Sequence, residues 1–112
     1  MNQWGLGGSW NVGAESAALE KASGKIAFRF HSRDLHMVLA PPKDGKAVRF
    51  RAKLDGAIPG KDHGVDSNAD GAGEIRQPRM YQLIRQKGAI KGRIFDIEFL
   101  DPGVQAFSFT FG

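Results

Sequence analysis

Strict alternation of apolar and polar side chains is the feature that most constrains this chain. Residues 25–32 place Ile26, Phe28 and Phe30 against Ala27, Arg29 and His31. Residues 34–40 place Leu35, Met37 and Leu39 against His36 and Val38, and residues 46–54 place Val48, Phe50, Ala52 and Leu54 against Arg49, Arg51 and Lys53. A period of two is that of a strand with one face in a core and the other in water. The same pattern closes the chain: Phe95, Ile97 and Phe99 alternate with Asp96 and Glu98 in residues 92–100, and Phe107, Phe109 and Phe111 with Ala106, Ser108 and Thr110 in residues 104–111. Residues 74–77 form a shorter strand stopped by Pro78. Residues 79–86 form another, with Tyr81, Leu83 and Arg85 on one side and Met80, Gln82 and Ile84 on the other.

Turn chemistry separates these runs. Pro41-Pro42-Lys43-Asp44-Gly45, Asp55-Gly56 and Asp101-Pro102-Gly103 carry the residues that tight turns demand. The segment 14–21 is the one helix candidate. It lacks an amphipathic stripe and lies between Gly13 and Gly24, so an extended edge segment is expected. Seven to nine short strands with regular turns predict an all-β domain, a jelly-roll-like antiparallel β-sandwich. With 112 residues the chain is one domain, 1–112.

Composition narrows the function classes. The chain has no cysteine, which excludes a disulfide, a thiolate nucleophile and a cysteine-based zinc site. The formal charge of +4 permits an anionic partner without demanding one. No apolar run approaches the roughly 20 residues that span a bilayer, so this domain is not expected to insert in a membrane. The N-terminal segment is rich in Gly and Trp, unlike a leader peptide; a secretion signal, if there is one, is expected upstream of it. No nucleophile motif accompanies the histidines His31, His36 and His63, and no catalytic residue is predicted.

Binding candidates remain. Trp4 and Trp10, in a Gly-rich segment, are candidate platforms for stacking a sugar; the plain alternative is that both pack over the sandwich edge. Tyr81 and Arg85 share a face of a regular strand and are a second candidate ligand pair, unless Tyr81 is core. The basic stripe Arg29, His31, Arg49, Arg51 and Lys53 lacks interleaved exposed aromatics, and Asp96 and Glu98 are available to neutralise it. It reads as a solvated face, and nucleic-acid binding ranks last. The segment 55–74 is long and polar, as functional or mobile loops are. Within it Asp66, Asn68, Asp70 and Glu74 match part of a calcium loop, yet the twelfth position is Gln77 where a bidentate glutamate is needed. Calcium is the one cofactor to test; no other is expected.

The closing Phe-rich run 92–112 and the stretch Arg79-Met80-Tyr81-Gln82-Leu83-Ile84-Arg85 resemble a known family. So do Asn2-Gln3-Trp4 and residues 24–30 and 33–39. Together they resemble the C-terminal, carbohydrate-binding-module-like domain of DipZ-type, TlpA-like thioredoxin-family proteins. The resemblance implies an upstream thioredoxin-like domain as partner and an extracytoplasmic place in the periplasm or cell envelope. It also implies a non-catalytic accessory role, with a cell-envelope glycan as the ligand to test. The competing role is structural: packing on the thioredoxin-like domain, or dimerisation. The missing cysteines then mark a division of labour, with thiol chemistry in the neighbouring domain.

Overall fold

Five strands hydrogen-bond into one antiparallel sheet and five into a second. The computed structural model describes the backbone of residues 3–7, 10–12, 17–19 and 24–112, and side chains from Gly24 onward except that of Phe28. The strands are β1 (Gln3–Gly7), β2 (Trp10–Val12), β3 (Ala17–Leu19), β4 (Gly24–Phe30), β5 (Asp34–Ala40), β6 (Val48–Leu54), β7 (Ala72–Ile75), β8 (Arg79–Arg85), β9 (Arg93–Phe99) and β10 (Gln105–Phe111). The first sheet has the order β1-β4-β9-β6-β7 and the second β2-β3-β10-β5-β8. This is the expected jelly-roll-like β-sandwich. Among the described residues its only helical turn is a 3₁₀ turn at Gly60–Asp62.

The alternation read from the sequence is what the sandwich buries. Val48, Phe50, Ala52 and Leu54 point inward from β6, Phe95, Ile97 and Phe99 from β9, and Leu35, Met37 and Leu39 from β5. Each such large side chain contributes about 1.5–3 kcal/mol on leaving water. The segment 14–21 is extended where it is described, since β3 pairs with both β2 and β10. Strand β7 is shifted from the expected 74–77: Ala72 and Gly73, counted in the long polar segment, pair with Arg51 and Phe50.

Two bulges break the alternation, both beside β5. In β8, Ile84 and Gln82 face the consecutive residues Leu35 and His36, so Leu83 is an extra residue. In β10, Ala106 and Ser108 face Leu39 and Val38, so Phe107 is extra. A bulge inverts the side-chain parity beyond it. Leu83 and Ile84 are therefore both buried, and Arg85 turns out to solvent. Phe107 is 43% exposed, while Phe109 and Phe111 pack against the core. The Phe111 ring stacks on that of Phe30 with centroids 6.1 Å apart and meets Phe109 edge-on at 5.7 Å.

The long segment between β6 and β7 is strapped to both sheets. Gly64 and Asp66 donate their N–H groups to the carbonyls of Leu83 and Gln82, and Ser67 Oγ donates to Leu83 O at 3.1 Å. At its other end Ala52 N donates to Gly71 O at 2.7 Å. The segment thus covers the free edge of β8, the device by which sheets avoid pairing with other chains. Gly64 is required for this approach, because a Cβ there would lie 2.3 Å from Gln82 O.

Candidate functional site

Strand β5 is flanked by β10 and β8, and its outward residues are His36 and Val38. Register extends them into two rows. Thr110, His36 and Gln82 form one, and Ser108, Val38 and Met80 the other. Beside them the β10 bulge presents Phe107. The face combines an exposed ring, an exposed Met80, two hydroxyls, an imidazole and an amide. Gln82 is fixed in place, since its Oε1 accepts from Val65 N at 3.1 Å and its Nε2 remains to donate elsewhere. Thr110 Oγ1 contacts Met80 Sδ at 3.7 Å across β5.

Ion pairs close both ends of this face. Arg85 Nη1 meets Asp34 Oδ2 at 3.1 Å. Arg79 Nη2 meets Asp66 Oδ1 at 2.7 Å, and Asp66 Oδ2 accepts from Gln82 N at 2.7 Å. Burial alone would push the Asp66 carboxyl up. Arg79 and the Gln82 N–H outweigh it and hold the group below the usual carboxylate range. Asp66 in turn raises the Arg79 guanidinium, which lies 3.8 Å over the Tyr81 ring. A surface whose carboxylates and guanidinium groups are paired at its ends, and whose centre offers hydroxyls, an amide and an imidazole, suits a hydroxyl-rich ligand.

Of the residues singled out from the sequence, Arg85 and Asp66 lie in the ion pairs at the ends of this face, and Tyr81 lies in the core beneath it. Tyr81 is 1% exposed, and its hydroxyl donates to Gln77 O at 2.7 Å and accepts from Gln77 N at 3.3 Å. It is a core residue and offers no ring to a ligand. Arg85 does not share its face, because the Leu83 bulge lies between them. The side chains of Trp4 and Trp10 lie outside the described residues; their backbones pair with Phe28 and Leu19.

Oxygens of the candidate calcium loop are engaged within the protein. Both Asp66 oxygens are taken, Asn68 Oδ1 accepts from Asp70 N and Ala72 N at 3.0 Å each, and Glu74 pairs with Arg76. These residues brace turns. Among the described residues no three His, Asp or Glu side chains are gathered as a metal would need.

The opposite sheet carries the basic stripe. Register sets Glu98 between Lys25 and Arg51, Asp96 opposite Lys53, and Glu74 opposite Arg49. Arg49 is also fixed by Asp101, whose two oxygens lie 2.9 Å from Nε and Nη2. Interleaved signs of this kind make a solvated face and not a track for a phosphate backbone. An open depression of about 380 Å³ lies beside Arg49, Arg51, Asn68 and Glu74. Three of these four already bond within the protein, as described above.

The sequence contained no signal for Phe107. Its place in the 107/109/111 alternation reads as core, and only the register with β5 shows that it is turned out. The outward parity of His36 was legible, but not the residues that join it from β8 and β10.

Solved structures share the fold. A family two carbohydrate esterase from Clostridium thermocellum in complex with cellohexaose aligns with a TM-score of 0.73 at 12% identity, over 98% of this chain and 31% of that one. An active-site mutant of a family two carbohydrate esterase from Clostridium thermocellum aligns with a TM-score of 0.74 at 12% identity, over 100% and 32%. A family two carbohydrate esterase from Cellvibrio japonicus aligns with a TM-score of 0.63 at 8% identity, over 97% and 33%. The chain spans about a third of the length of these esterases, and the likeness is one of fold. No protein of curated function matches it in sequence. The sequence model of the family described as "Thioredoxin like C-terminal domain" matches residues 1–112, and the chain belongs to that family.

Proposed function

We propose that this chain is the non-catalytic accessory module of a DipZ-type, TlpA-like thioredoxin-family protein of the cell envelope, and that it binds a neutral carbohydrate. The site is the outer face of β10, β5 and β8. One observation carries the reading: the bulge that exposes Phe107 beside His36, Gln82, Ser108 and Thr110. Sugars present an apolar ring face and a rim of hydroxyls. A protein ring stacks on the first, and amide, hydroxyl and imidazole groups bond the second. Family membership and the shared fold of carbohydrate-acting enzymes support the reading. The chain has no cysteine, so it performs no thiol chemistry itself. In this reading that chemistry belongs to a thioredoxin-like domain upstream, placed outside the cytoplasm, and the module holds that domain near its glycan.

The test is an NMR titration with cellohexaose and a panel of neutral cell-envelope oligosaccharides. Shifts should cluster on residues 36, 82, 107, 108 and 110, and Phe107→Ala should abolish them. An absence of shifts across the panel, or shifts confined to the opposite sheet, would sink the sugar reading.

A further inference from the structure

Hydrogen bonds gather three loops at one end of the sandwich. Strand β5 begins there at Asp34 and β9 at Arg93, while β6 ends at Leu54 and β8 at Arg85. Gln86 N donates to Arg33 O at 2.8 Å, and Arg33 Nη1 donates to Gln86 O at 3.1 Å. Gln86, 1% exposed, also donates through Nε2 to Ser32 O and Lys91 O. Lys87 N donates at 2.8 Å to an oxygen of Asp62, the residue after Lys61. Arg33, Lys61, Lys87 and Lys91 thus come to one end from three separate loops.

Positive charge is concentrated here. Residues 31–34, 55–62 and 85–93 hold six Lys and Arg against three carboxylates, an excess of three in a chain of formal charge +4. Each carboxylate is committed to an arginine: Asp34 to Arg85, and Asp55 and Asp62 to Arg93. Lys91 adds to the positive field on Asp55 from further away. Among the described residues no carboxylate forms an ion pair with Arg33, Lys61, Lys87 or Lys91, and all four side chains are exposed.

The connection from Lys87 to Gly92 is exposed along its whole length, and it carries Ile90, 45% exposed, between its two lysines. An isoleucine in that position gains nothing from a phosphodiester chain or a cluster of carboxylates. It gains burial where the headgroups of a bilayer meet the acyl chains, while flanking lysines reach the phosphates.

We infer that this end of the sandwich is a seat on an anionic phospholipid surface. Arg33, Lys61, Lys87 and Lys91 meet the headgroups, and Ile90 enters the interface. The cations stand on three loops around an exposed tip, so they read charge density and not one kind of headgroup. The loops lie at strand ends, so the strands rise from the bilayer and the outer face of β10, β5 and β8 is left at the side, open to ligand. The chain lies on the membrane by this contact and spans nothing. The inference uses these loops alone and is independent of the carbohydrate reading.

Co-sedimentation of the 112-residue chain with vesicles tests it. Vesicles of phosphatidylcholine with about 30% phosphatidylglycerol should bind the chain at least about tenfold more tightly than phosphatidylcholine alone. Raising the salt from about 0.1 M to about 0.5 M should weaken that binding about tenfold. Lys87→Gln combined with Lys91→Gln should weaken it about twentyfold, because each cation near such a surface contributes roughly fivefold. Ile90→Ser should weaken it about fivefold with the charge unchanged. Lys43→Gln combined with Lys46→Gln removes the same charge from the connection between β5 and β6, at the opposite end of the sandwich, and should change binding by less than about twofold. All of these side chains are exposed, so the variants keep the fold. Equal binding to the two kinds of vesicle overturns the inference. So does an equal loss in the Lys43 and Lys46 pair, which would make the attraction a matter of net charge. Ile90→Ser without effect also overturns it, since the surface would then take any polyanion.

Discussion

Asp66 and Arg79 meet at 2.7 Å across the gap between the long β6–β7 segment and the edge strand β8. The second Asp66 oxygen takes the Gln82 N–H, so one carboxylate fastens the segment to the strand twice. Asp66→Asn should lower stability by about 1–2 kcal/mol, the lower range for charge-assisted bonds because Arg79 is partly solvated. Urea unfolding gives the magnitude. The sharper readout is local: the amides of Gly64 and Ser67 should lose protection before the β9 core does.

Acid should destabilise the fold in a defined window. Hydrogen bonds from the Arg49 side chain and backbone, with the charge of Arg49, bring Asp101 down to about 2. Asp66 is also lowered. So is Asp55, where the Ile94 N–H and Arg93 outweigh the opposing effect of burial. For each, the unfolded chain binds the proton more readily, so stability rises with pH between the two pKa values. This contribution is complete above an unfolded carboxylate pKa of about 4 and disappears as pH falls through the folded value. The urea midpoint should stay level from about pH 7 to pH 5 and drop between about pH 4 and pH 2. Asp101→Asn should be less stable than the parent at neutral pH and match it near the acid end. A constant difference across the range would contradict the assignment.

How far the sequence reaches is clearest from neighbouring strands. The inward rows of β6, β9 and β5 follow from alternation alone, because regular strands translate sequence parity directly into burial. Tyr81 and Arg85 do not share a face, and Phe107 is not core, because one extra residue in β8 and one in β10 invert that rule. Nothing local marks either bulge; each is a property of the register with β5. The turns at 66–74 illustrate a different loss. Asp66, Asn68 and Glu74 have the spacing of a metal loop; Asn68 and Glu74 bond to near neighbours, as turn residues do, but the partners of Asp66 lie on β8, which the sequence does not announce.

Close backbone approach makes two glycines irreplaceable. A Cβ at Gly64 would stand 2.3 Å from Gln82 O, and one at Gly71, where φ is +84°, 2.0 Å from Ala52 O. In each case the obstacle is backbone, which cannot turn aside. Gly64→Ala and Gly71→Ala should each cost about 2–4 kcal/mol, as a buried clash does. Gly45 is the control. Its φ is +78°, but nothing lies within 4 Å, so Gly45→Ala should cost only the left-handed backbone preference, about 1–2 kcal/mol. Chemical denaturation of the three variants orders them. A Gly45→Ala variant as unstable as the other two would show that conformation and not contact sets the cost.

The closing strand offers the cleanest separation of stability from surface. Phe107, Phe109 and Phe111 are equivalent in sequence, yet only Phe107 is turned out by the bulge. Phe111 stacks on Phe30 and packs against the core. Phe111→Ala should therefore cost about 2–4 kcal/mol, somewhat below a fully buried phenylalanine because the residue is only partly enclosed. Phe107→Ala should change stability by less than about 1 kcal/mol, as substitutions at exposed positions do. Thermal and urea unfolding of the pair decide the matter. If Phe107→Ala proved as damaging as Phe111→Ala, the ring would belong to the core, and the face proposed for carbohydrate would lose its stacking surface. If it is silent in unfolding, the same variant becomes a clean probe of ligand binding, because any loss of binding then cannot be ascribed to a damaged fold.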